Sequence, residues 1–211
     1  NSTTHTVGWA SEPDGRGTIG LLWSCFATMF LCIWNAIHLN VPAPSDYEMR
    51  IFGRRIRYVL WCLLAPEYFA SMALNQFVEV RRLQAKSPGW SLKKCYFFMM
   101  RGFVYEVDSG EGKEQKTFPV TEHYRLIQEK KLPWPEVDDR DIANRARADW
   151  ILKSIAVAQV LWFITQIIGR AAQGLAVITL ELFTIGNVFC AILMYSFMWE
   201  KPYDVRIPVI I

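Results

Sequence analysis

The chain is poor in the residues that most reactions lean on. It has three histidines in 211 residues, and its five cysteines, Cys25, Cys32, Cys62, Cys95 and Cys190, form no close pair. That excludes a CxxC redox or zinc-ribbon site, and no His/Cys/Asp/Glu cluster has metal-ligand spacing. P-loop, dinucleotide fingerprint, G-x-S-x-G elbow and HExxH pair are all missing, which removes the commonest nucleotide, hydrolase and zinc-protease classes. Charge of one sign is scarce too. Lys and Arg number 23 against 20 Asp and Glu, and the resulting +3 is scattered along the chain, which argues against nucleic acid. There is no internal repeat and no low-complexity tract.

Apolar residues are what is plentiful. The chain is 52% hydrophobic and 14% aromatic, with nine Trp and thirteen Phe, yet its mean hydropathy is only +0.13. The apolar residues are therefore gathered into blocks. That is the composition of a membrane protein with one soluble insert. Four of the five cysteines fall in the blocks and read as reduced, packed thiols.

The expected fold is an all-α membrane helical bundle of about four apolar segments with a small α+β soluble insert. Residues 1–17 are a polar lead-in, and Asn1-Ser2-Thr3 is a glycosylation sequon that, if used, puts the amino terminus outside the cytoplasm. Residues 18–80 hold membrane segments one (19–41) and two (58–80). The insert is 81–148, and 149–211 carries segments three (150–168) and four (175–199) with a tail. Pro42 and Pro44 should end segment one, and Pro66 should kink segment two. Basic residues lie at both ends of segment two: Arg50, Arg54, Arg55 and Arg57 before it, Arg81, Arg82 and Lys86 after. It therefore either spans with a lumenal insert, or is a kinked re-entrant or interfacial helix that leaves residues 42–148 cytoplasmic. In the insert, residues 95–107 and 117–120 suggest a hairpin around a turn at 109–112, then an amphipathic helix over 121–131. Asp138 or Asp139 should cap a helix running on into segment three.

Every apolar segment carries a polar stripe at helical spacing. Ser24, Thr28, Asn35 and His38 share a face of segment one; Glu67, Ser71 and Asn75 of segment two; Gln159, Trp162, Gln166 and Arg170 of segment three; Glu181, Thr184 and Asn187 of segment four. Polar groups facing lipid are costly, so the stripes should turn inward around a polar-lined pocket. Glu67, beside the proline in the apolar run 61–74, is the candidate catalytic acid, with His38 as a second candidate. Asn35, Asn75, Trp61, Gln159, Trp162, Gln166, Arg170 and Glu181 are the candidate substrate-binding groups. The plainer alternative is that the amides and hydroxyls only glue helices together, at about 0.6 to 2 kcal/mol per contact.

Four stretches carry a resemblance: residues 18–25 (TIGLLWSC), residues 30–42 (FLCIWNAIHLNVP), residues 64–67 (LAPE) and residues 199–205 (WEKPYDV). Together they resemble a large, mainly uncharacterised family of fungal multi-pass membrane proteins, and the likeness covers most of the chain. It implies a class rather than a reaction. It also implies a secretory-pathway membrane such as the endoplasmic reticulum, since members often begin with a secretory signal. This chain departs from the pattern at Gly20, where the family has an acid, and at Arg101, where it has a small residue. The expectation is a membrane pocket for a lipophilic small molecule or lipid, without cofactor or metal. Such a pocket suits a cyclase or isomerase of the kind found among membrane-bound terpene cyclases and pericyclases. The competing expectation is a non-enzymatic transporter, lipid-binding receptor or assembly subunit, in either case open to homo-oligomerisation.

Overall fold

The computed structural model describes residues 18–43, 46–87, 89–108, 113–145, 149–172 and 178–210. Among them are eight helices and a three-stranded sheet. The elements are α1 (Thr18–Ala36), α2 (Glu48–Leu64), α3 (Pro66–Lys86), α4 (Leu92–Met99), β1 (Phe103–Asp108), β2 (Lys113–Lys116), α5 (Val120–Gln128), α6 (Asp139–Arg145), α7 (Asp149–Ala172), α8 (Thr179–Phe197) and β3 (Val209–Ile210).

Among the described residues two helices are long and apolar enough to cross a membrane, α1 over Ile19–Ala36 and α8 over Thr179–Phe197; the apolar stretch of α7, Ser154–Gly169, is shorter. Segment two, expected as a kinked helix, is instead two helices. Ala65 leaves the helical region at φ −140° and ψ 66°, and Pro66 is the first residue of α3. Proline at a first helical position forfeits a donor that has no partner anyway, and a carboxylate next to it suits the positive end of the helix dipole. Pro66-Glu67 is thus a helix start.

The contacts of α2 and α3 make them a hairpin. Tyr58 and Phe69 meet edge to face at 6.1 Å across the break. Glu48 bonds Arg206 and Arg55 stacks on Tyr203, so α2 starts beside the tail that follows α8. Cys62 and Glu67, at the tip, come within electrostatic range of Cys190 inside α8. Phe77 of α3 then meets Phe197 at 5.9 Å, back at the end of α8. Both basic ends of segment two therefore lie at one end of the bundle, as the re-entrant alternative requires.

At the bundle's centre α8 packs against α1 and α3, and α1 also packs against α7 and α2. The buried face of α3 is Ala70, Ala73, Val80 and Leu83, whose small early residues admit close approach to α8. Along α7 the order reverses: Ser24 Oγ donates to Gln166 Oε1 at 3.1 Å, while Gln159 Nε2 donates to Thr28 Oγ1 at 3.1 Å, so α7 is antiparallel to α1.

The insert sits at the far end of α1, α3 and α8. Its sheet has the order β2-β1-β3, with β2 antiparallel and β3 parallel to β1. Residues 95–99, expected to begin a strand, are helical: Ser91 Oγ caps α4 by accepting from the Lys94 backbone N–H at 3.1 Å, and Cys95, Tyr96, Phe97 and Phe98 are all buried. The strands begin at Phe103 and Lys113, and residues 117–119 are not strand. The amphipathic helix expected over 121–131 is α5. The turn expected at 109–112 and the junction 146–148 lie outside the described residues. Val41 N–H donates to Met100 O and the Tyr96 hydroxyl to Phe197 O, which tie insert to bundle.

Candidate functional site

Two features of the bundle are organised enough to carry a function: an apolar groove and, beneath its inner edge, a knot of buried polar groups. The groove exists because α7 packs on α1 rather than along α8. A cavity of about 240 Å³ remains between them, lined by Cys32 of α1, Ala156, Val160 and Leu161 of α7, and Ala191 and Tyr195 of α8, with Trp199 at one end. Its walls are almost wholly apolar. Val157 and Ile192 flank it and are half exposed, at 52% and 42%, so it opens sideways from the bundle.

The knot is built on Lys201, which follows α8 and is only 2% exposed. Its Nζ donates to His38 O at 2.8 Å, to Gln76 Oε1 at 3.2 Å and to Asn40 Oδ1 at 3.5 Å. Three acceptors match the three protons of an ammonium, and they come from the end of α1 and from α3. Burial works against that charge and pushes the Lys201 amine down to about 7. α1 ends at Ala36, short of Pro42.

His38 is buried beside this amine. Its Nδ1 lies 3.0 Å from Ala36 O, which marks Nδ1 as the nitrogen that carries the proton. The ring is held edge-on by Tyr203 at 5.2 Å and by Tyr195 at 6.2 Å. Tyr195 also lines the groove, so the knot and the groove share a residue. Further out, the Arg55 guanidinium lies between the rings of Trp34, at 4.5 Å, and Tyr203, at 5.0 Å, and donates to Trp34 O.

The other candidates divide. Asn35 is buried near the knot, with an Oδ1 that has no hydrogen-bond partner among the described residues. Glu181 is buried, but one of its carboxylate oxygens accepts from the Ile178 N–H at 3.2 Å, which makes it a cap for α8. Gln159 and Gln166 are taken up by the α1–α7 pairs described above. The side chain of Arg170 and all of Asn1 lie outside the described residues.

Glu67, Asn75, Trp61 and Trp162 do not face inward. All four are exposed, the two tryptophans at 60% and 61%. Once Pro66 restarts the helix, its alanine face turns to α8, and Glu67, Ser71 and Asn75 fall on the opposite side. Among the described residues, then, the four stripes do not enclose one polar pocket. Two meet as α1–α7 bonds, one turns outward, and the cavity they leave is apolar.

Lys201, Tyr195, Tyr203, Gln76 and Arg55 were missed as site residues. The signal for Lys201 was present: the stretches 30–42, which holds His38-Leu39-Asn40, and 199–205, which holds Lys201, are the ones the fold brings together.

The fold and these features define a helical-bundle protein with a helical hairpin, a lateral apolar groove and, among its described residues, two helices of membrane length packed against each other. The chain belongs to a family of unknown function, DUF8562, whose sequence pattern matches residues 1–87 and 79–211. No curated protein and no solved structure matches it.

Proposed function

We propose that this chain is an integral membrane protein that holds a single lipophilic chain, acyl or prenyl, in the groove between α7 and α8. What carries the membrane reading is where the bundle is greasy. Large apolar side chains exposed by more than a third cluster on α1, α2, α3, α7 and α8, among them Trp23, Leu64, Met72, Leu161, Trp162 and Leu182. None comes from the described residues of the insert between 81 and 145. Exposed apolar surface confined to the bundle in this way supports a membrane-embedded bundle with a polar insert. Basic residues flanking the hairpin would set the insert on the cytoplasmic face, with Asn1 across the membrane. The placement fits an endoplasmic-reticulum or other secretory-pathway membrane.

The groove's size supports a thin ligand. At about 240 Å³ it falls below the ~300–1,000 Å³ of sites for drug-sized molecules, and it opens toward the surface a lipid would approach from. Binding is the reading favoured here. Catalysis, as a cofactor-independent isomerase or cyclase, is the second reading, and the contact of Tyr195 with both groove and His38 is the observation that favours it. It no longer involves Glu67.

The test is to purify the chain in detergent, extract it, and identify the co-purifying lipophiles by mass spectrometry. Val157→Trp and Ile192→Trp plug the groove from half-exposed positions. Both should shed the bound species while keeping the native melting temperature. Equal retention by native and plugged chains would sink the groove reading. Conversion of that species to an isomer by the native chain, lost in Tyr195→Phe, would favour the enzyme over the carrier.

A further inference from the structure

A second cavity lies on the insert and has no part in the groove. Trp90 and Trp134 meet with ring centroids 5.1 Å apart and planes at 77°, and form two walls of a space of about 470 Å³. Lys94, Glu136 and Asp138 also line it. The corner is braced from behind. Phe98 and Phe103 abut Trp90 at 5.8 and 6.4 Å, and Tyr124 abuts Trp134 at 6.3 Å. Gln84 Nε2 donates to Trp90 O at 3.3 Å, and Ser91 Oγ donates to Asp139 Oδ1 at 2.7 Å, which fixes α4 against α6 beside the opening.

We propose that this corner binds a phosphocholine-type zwitterion, a quaternary ammonium linked to a phosphate. Two indole rings near a right angle in the lining suit a trimethylammonium, whose weakly hydrated charge is attracted by aromatic rings without needing hydrogen-bond acceptors. A primary ammonium is strongly hydrated and gains less from such walls. The carboxylates of Glu136 and Asp138 reinforce the choice of cation, and Lys94 supplies a positive partner for the phosphate. A purely anionic ligand meets the two carboxylates, and a neutral apolar one leaves all three charges unused. The same group comes from two sources, a bilayer lipid headgroup or a free phosphocholine ester.

The experiment uses the full chain in phosphatidylglycerol nanodiscs, titrated calorimetrically with phosphocholine, choline and 3,3-dimethylbutyl phosphate, the isostere in which an uncharged tert-butyl group replaces the trimethylammonium. Phosphocholine should bind about tenfold tighter than the isostere, since a desolvated cation–π contact is worth ~1–2 kcal/mol and 1.4 kcal/mol is a factor of ten. Trp134→Ala should weaken phosphocholine about tenfold. Because Trp134 is packed, the exposed pair Glu136→Gln/Asp138→Asn serves as the variant that leaves packing alone; it should weaken both phosphocholine and choline. Lys94→Ala should weaken phosphocholine and leave choline unchanged. Isostere and phosphocholine binding equally, or the double variant binding like the native chain, overturns the proposal. Repeating the titration in phosphatidylcholine nanodiscs separates the sources. Competition there assigns the site to a lipid headgroup, and undiminished binding assigns it to a free ester.

Discussion

The Lys201 knot makes a prediction whose sign is not obvious. The amine is buried, its charge is unneutralised by any carboxylate in the knot, and burial holds it at about 7 in the folded chain. Unfolded, it titrates near the ordinary lysine value of about 10.4. Between those two values the unfolded chain binds the extra proton, so stability rises with pH across that window and is lowest below about 7. Integrated from about pH 6 to about pH 9, the gain is about 2–3 kcal/mol, or about 5–10 °C in melting temperature for a chain of this size. Lys201→Met removes the titration. It also leaves the His38 carbonyl, the most buried of the three acceptors, without its donor, a cost of about 1–3 kcal/mol. The variant should therefore be less stable than the native chain at about pH 9 and draw level with it, or overtake it, at about pH 6. Thermal unfolding in detergent, read as native minus variant across this range, cancels the cysteines and tyrosines that titrate in both. A difference that stays flat with pH would refute the reasoning, whatever the absolute melting temperatures.

Other expectations are simpler. His123 is buried, its Nε2 lies 2.7 Å from the Tyr105 hydroxyl, and burial pushes it down to about 4. Its unfolded value is higher, so stability should fall by about 3 kcal/mol as pH drops from about 6.5 to 4, a slope that His123→Phe should remove in near-ultraviolet dichroism of the insert. Two adjacent residues should respond in opposite senses. Arg101 sits at φ +61° just past α4, so Arg101→Gly should be neutral or stabilising by up to about 1 kcal/mol. A Cβ on Gly102 would run into the Phe97 ring, so Gly102→Ala should cost about 1–3 kcal/mol in chemical or thermal unfolding. In microsomes, single cysteines at positions 50, 86 and 140 should react alike with an impermeant maleimide. A split between 50 and 86 would show that segment two crosses the bilayer.

Much of the bundle could be read in advance, because α1, α7 and α8 declare themselves through long apolar runs. The hairpin was half visible. Charges on both sides of segment two point to a return, but Pro-Glu after an apolar run fits a kink and a helix start equally. The helix that starts there turns its alanines to α8 and leaves Glu67 and Asn75 on the outer surface. Residues 95–99 looked like strand by their aromatic content; the cap at Ser91 and complete burial made them helix. Two-residue β3 has no sequence signature at all, since its pairing with β1 depends wholly on where α8 delivers the tail. Lys201 stands between Trp199 and Tyr203, and its residue type gives no sign of burial. Only the meeting of α1, α3 and α8 turns it into a buried group.

The residues between 201 and 210 act as a clasp. Lys201 grips a carbonyl 163 positions earlier in the chain, Arg206 reaches Glu48, and Val209 N–H donates to Gly102 O. Each of these bonds joins a late residue to one made long before it. During synthesis, α1, the hairpin and the sheet must therefore wait half-assembled, with the His38 carbonyl and the edge of β1 open, until this short stretch leaves the ribosome. A truncation just after α8 would leave three parts of the protein unlatched at once.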